Sequence, residues 1–154
     1  MGTRSTIALE YADGTVEQVY CHWDGYLDHN GRILQEHYSN PFVLRDLIDM
    51  GDISSLGKIV GTKHPFSPYE GETQKALYDA AMQAGATTFY GRDRGEKCPA
   101  RKFKDFEDYK ANHQYEEFEY ILRACGDKAV WFVADHNDTY VPLAAAFEAE
   151  KEAA

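Results

Sequence analysis

The sequence predicts an α+β fold: an antiparallel sheet of about five strands, built from an N-terminal hairpin and a C-terminal meander, with helices packed on one face. Three observations predict it. Alternating apolar and polar residues flank an Asp-Gly turn at the start of the chain, helical periodicity fills the middle, and β-rich runs separated by turn residues close it.

Residues 6–11 alternate as a half-buried strand does, Asp13-Gly14 suits the left-handed positions of a hairpin turn, and residues 15–23 form the returning strand. Ile33, Leu34, His37 and Tyr38 then recur at helical spacing across 31–38. Asn40 followed by Pro41 opens a second helix, because an Asn side chain accepts an orphan amide and proline fits the first turn. Val43, Leu44, Leu47 and Ile48 form its apolar stripe, and Gly51 supplies the stop. Residues 52–71, punctuated by Gly57, Gly61, Pro65 and Pro68, read as a surface loop.

Thr73, Ala76, Leu77, Ala80, Ala81 and Ala84 share one face of a further helix, which ends at Gly85. A β-type run at 87–90 enters a polar loop at 91–97, and Phe103, Phe106 and Tyr109 mark a short amphipathic helix. Residues 117–123, 129–135 and 139–143 are the strands of the meander, joined through 126–128 and 136–138. Residues 145–154 read as a frayed Ala/Glu-rich helical tail. No repeat or linker divides the chain, so residues 1–154 are read as a single domain.

Composition narrows the function. There are 26 acidic and 16 basic side chains, a net charge of -10, with 44% hydrophobic and 14% aromatic residues. So aromatic a chain is not disordered, and so acidic a chain is not expected to bind nucleic acid directly, since phosphate affinity comes from Lys and Arg. Acidity suits a partner with a basic surface. No apolar run is long enough for a membrane span and no signal peptide is apparent, so the expectation is a cytoplasmic protein that engages no membrane. Cys21, Cys98 and Cys125 are odd in number and scattered, as reduced thiols are, and no motif calls for a cofactor. The charge is uneven: -6 over residues 1–91, +4 over 92–104 and -8 over 105–154.

Three stretches are candidate sites. The first, from 105 to 119, interleaves Asp105, Glu107, Asp108, Glu116, Glu117 and Glu119 with Tyr109 and Tyr115. Carboxylates spaced along a rigid surface imitate phosphates, and aromatics add contact area, so this is the candidate partner-binding face. The second is the Gly-Arg loop, in which Arg92, Arg94 and Lys97 are candidate anion ligands, with Trp23 or Tyr26 available to stack on a nucleotide base. It lacks the GxxxxGK[ST] form of a Walker loop. The third comprises His22, Asp24 and His29, weak candidates for a divalent metal because their spacing matches no metal signature; His22 and Asp24 would share one face of a strand. No GxSxG elbow or Cys/His pair supports nucleophilic catalysis.

Four segments, 3–8 (TRSTIA), 19–26 (VYCHWDGY), 51–57 (GDISSLG) and 87–96 (TTFYGRDRGE), resemble those of a family of small proteins from phages, prophages and plasmids. The resemblance covers most of the chain up to about residue 140 and implies a setting, not a reaction. Small acidic proteins of such elements often act by binding host restriction or CRISPR machinery, some as nucleic-acid mimics. The expectation is therefore a non-enzymatic accessory protein that inhibits a basic host complex, the alternatives being a nucleotide binder and a metal-dependent hydrolase.

Overall fold

The structure is a computed structural model that describes residues 2–134 and 139–153. In chain order the elements are β1 (Ser5–Glu10), β2 (Val16–Cys21), a π-helical turn (Leu27–Gly31), α1 (Arg32–His37), α2 (Pro41–Ile48), β3 (Ile53–Ser55), α3 (Glu72–Gln83) and β4 (Thr88–Phe89). They continue with α4 (Tyr90–Arg94), β5 (Arg101–Phe103), α5 (Phe106–Asn112), β6 (Phe118–Cys125), β7 (Lys128–Ala134), β8 (Tyr140–Pro142) and α6 (Leu143–Ala153).

Local chemistry sets the predicted boundaries. In the β1–β2 hairpin, Asp13 Oδ1 accepts the Thr15 amide at 2.9 Å, and Gly14 takes a φ of 91° that a side chain would resist. At α2, Asn40 accepts the Phe42 amide at 2.9 Å. Gly51 ends that region at a φ of 84°, and a Cβ there would meet the Cys98 carbonyl oxygen at 2.2 Å.

The α+β class holds, but the sheet is larger than expected and mixed. Among the described residues it has eight strands, in the order β4-β3-β2-β1-β6-β7-β8 with β5 paired to β2 beside β3. Strand β1 lies antiparallel to β2 and parallel to β6, and β2 is parallel to β3. The extra strands β3 and β5 have three residues each and arise in segments with no alternation to read. Helices also flank both faces instead of one. Ile7, Leu9, Val19, Tyr120, Leu122 and Val133 pack with Leu34 of α1, Leu44, Leu47 and Ile48 of α2, and Leu143 of α6. Alternate residues Ala8, Val16 and Ile121 meet Tyr109 of α5 and Phe103 on the other side.

The polar loop at 91–97 is in part helical, as α4, closed by Gly95 in the left-handed conformation. The C-terminal tail is docked at its start: Leu143 is buried, Phe147 packs against the main core, and Arg32 lies 4.6 Å from the Phe147 ring centre. Helix α3 forms as predicted yet buries none of its residues. The hairpin between β6 and β7 is present, whereas Asp135 and the loop at 136–138 lie outside the described residues. Among the described residues no helix is long and apolar enough to cross a membrane.

Candidate functional site

Strands β1, β2, β3 and β4, which overlap the segments 3–8, 19–26, 51–57 and 87–96, are consecutive neighbours in the sheet. Much of their unusual composition is spent on holding them there. Beyond β2 the chain turns at Asp24, a non-glycine residue at a φ of 57°, and enters the π-helical turn. Asn30 of that turn is fully buried and donates to Ser5 Oγ and Cys21 Sγ, each at 3.3 Å, and to the Trp23 carbonyl at 3.2 Å. Gly25 donates its amide to the Thr3 carbonyl at 2.7 Å, and its own carbonyl accepts the Tyr120 hydroxyl at 2.6 Å. Burial pushes the Cys21 thiol up to about 12, so Cys21 is a packed thiol and not a nucleophile.

Tyr20 and His22, two residues apart on one strand face, stay half-buried at its margin. Tyr20 Oη lies 2.6 Å from His22 Nδ1, and the positive charge of Arg4, the residue before the Ser5–Cys21 strand pair, acts on the Tyr20 hydroxyl and favours its ionisation. A neutral imidazole with its proton on Nε2 accepts the Tyr20 hydroxyl proton at Nδ1, and the other tautomer donates to the hydroxyl oxygen. Trp23 stands edge-on to His22, with ring centres 4.6 Å apart, and is 43% exposed. The segment joining α5 to β6 crosses beside this group: Gln18 exchanges two hydrogen bonds with the Gln114 backbone, and Glu116, bonded by Gln114 Nε2 at 2.9 Å, is close enough to Tyr20 to act on its ionisation. Burial is the largest cause raising the Tyr20 hydroxyl above its ordinary range. Sequence reasoning missed Arg4, Tyr20 and Glu116 as companions of His22, although the i, i+2 spacing of Tyr20 and His22 was available.

Of the candidate anion ligands of the Gly-Arg loop, Arg92 is engaged internally. Arg92 donates to Asp93, to the carbonyls of Val60 at 2.9 Å and Gly61 at 3.0 Å, and to the Thr87 carbonyl at 2.8 Å, while lying over the Phe89 ring. Arg94 pairs with Glu96 and stacks on Phe66 and Tyr90. Lys97 is exposed, and Tyr26 points outward at 42% exposure, its ring 6.0 Å from His29.

The acidic stretch divides. Asp105 caps α5 by accepting the Asp108 amide at 2.7 Å; Asp108 accepts the Lys104 amide at 3.0 Å and Asn112 Nδ2 at 2.8 Å, bonds that lower its carboxyl below the usual range. Glu107 is exposed and paired with Lys110 at 3.1 Å; Glu117 is exposed, and Tyr115 is 57% exposed. Two expected members face inward. Tyr109 is fully buried in the second core, and Glu119, 2% exposed, sits 3.6 Å from the buried His113, so neither belongs to a contact surface.

His22, Asp24 and His29 do not converge. Among the described residues no group of three or more His, Cys, Asp or Glu side chains is placed to hold a metal, and His29 Nδ1 instead bonds Asn30 Oδ1 at 2.9 Å. Comparison of the chain with family models, with curated proteins and with solved structures finds no match.

Proposed function

We propose that the protein is a non-enzymatic accessory factor of a phage or other mobile element that binds a basic, nucleic-acid-handling host protein and occupies its nucleic-acid groove. The observation that carries this reading is the run of carboxylates along α5 and the segment after it. Asp105, Glu107, Asp108 and Glu117 present carboxylates there beside the half-buried Glu116 and the exposed ring of Tyr115. Hydrogen bonds hold Asp105 and Asp108 in place, so less side-chain freedom is lost on binding than for mobile carboxylates. Ionised groups fixed in this way substitute for phosphates toward an Arg/Lys surface.

Capture from a nuclease-treated bacterial lysate tests the reading. The expected catch is a nucleic-acid-binding protein released by excess DNA or RNA and by raised salt. Capture of no such protein, or of one indifferent to nucleic-acid competitor, contradicts it.

A further inference from the structure

We propose that Arg4, Tyr20, His22 and Trp23 form a binding site for a nucleoside monophosphate, separate from the Gly-Arg loop. Donor geometry comes first. Tyr20 Oη engages His22 Nδ1 at 2.6 Å, which leaves the outer ring nitrogen Nε2 for a ligand, and Arg4, next to the Ser5–Cys21 pair at the same end of the β1–β2 ladder, brings a guanidinium fork to that end for an incoming anion. Arg4 is exposed and His22 half-buried, so these groups reach solvent without rearrangement of the sheet.

Two features extend the ligand beyond a bare phosphate. Trp23, perpendicular to His22 and 43% exposed, offers a face on which a base stacks. Its ring is backed by Gly2, where a Cβ would come within 2.7 Å and push the ring aside. Glu116, a carboxylate beside phosphate donors, is out of place in a pure anion site; it suits a ligand that also carries hydroxyl donors, such as a ribose. Below the cluster, Thr6 pairs directly with Tyr20 across the strands and is fully buried, and its Oγ1 has no hydrogen-bond partner among the described residues.

Titration calorimetry with AMP, GMP, CMP and UMP, the matching nucleosides and inorganic phosphate tests the assignment. At least one nucleotide is expected to bind saturably, with its nucleoside and phosphate alone each at least tenfold weaker. Arg4→Met and Trp23→Leu are each expected to weaken it at least tenfold, with the thermal midpoint of unfolding unchanged, while Arg94→Met leaves it within twofold. Absence of nucleotide binding to the unmodified chain overturns the proposal. So does affinity that survives both Arg4→Met and Trp23→Leu, or phosphate binding as tightly as the nucleotide.

Discussion

The carboxylate of Asp52 accepts the backbone amide of Tyr20 at 2.9 Å, at the point where the outer edge of β2 passes from β5 to β3. Arg101 of β5 closes the junction on the same carboxylate at 3.2 Å. A side chain thus completes the ladder where no strand reaches, beside the residue that engages His22.

Removing that acceptor leaves a part-buried amide without its partner. Asp52→Ala is expected to destabilise the fold by about 2 kcal/mol, whereas Asp52→Asn, which keeps a carbonyl oxygen for Tyr20 and loses only the charge facing Arg101, costs less than about 1 kcal/mol. Urea unfolding of both variants checks this, and equal losses would show that the ion pair, not the amide, carries the effect.

Arg92 acts as an internal strut. A lysine reaches one of its acceptors but not the fork of Asp93 and three carbonyls, so Arg92→Lys is expected to lower stability by about 2 kcal/mol. Arg94→Lys, at an exposed pair, stays within about 0.5 kcal/mol. Denaturant midpoints of the two variants measured side by side distinguish them.

Stability is expected to fall on the alkaline side. Burial raises the Cys21 thiol and the Tyr11 and Tyr120 hydroxyls, with Glu17 adding to the effect on Tyr11. In the unfolded chain these groups ionise at about pH 9 for the thiol and about pH 10 for the phenols. Folding holds their protons, so their contribution is complete below about pH 9 and is lost as the pH rises beyond it. Urea midpoints from about pH 7 to pH 11 should be level at first and then decline, and Cys21→Ala should flatten the early part of that decline.

How far the sequence could be read depends on how local each signal was. The β1–β2 hairpin and α2 were legible because Asp13, Gly14, Asn40, Pro41 and Gly51 act on neighbours a few residues away. The parallel pairing of β1 with β6 was not, since residues distant in the chain meet there with no turn to announce them. Strands β3 and β5 are too short to show a period, and their pairing rests on β2 and on Asp52. Arg92 looks in sequence like an exposed loop arginine, and only the fold brings three carbonyls around it. Glu119 sits on the same side of β6 as Ile121, an inward position that becomes visible once both sheet faces are known to be covered. The exposure of Asp105, Glu107 and Glu117 was legible, because charges flanking a short amphipathic helix turn outward, whereas the capping role of Asp105 was not read from the sequence.

The most direct test of the partner-binding account is charge reversal on the run of carboxylates along α5 and the segment after it. Asp105 is left in place because it caps α5, and the triple variant Glu107→Lys, Glu116→Lys, Glu117→Lys is compared with the unmodified chain for its dissociation constant toward the captured partner, with unfolding midpoints measured in parallel. The account predicts a loss of at least a hundredfold in affinity at low salt, on the order of 3 kcal/mol, with the fold retained. Affinity within threefold of the unmodified chain, in a variant that still folds, would contradict it.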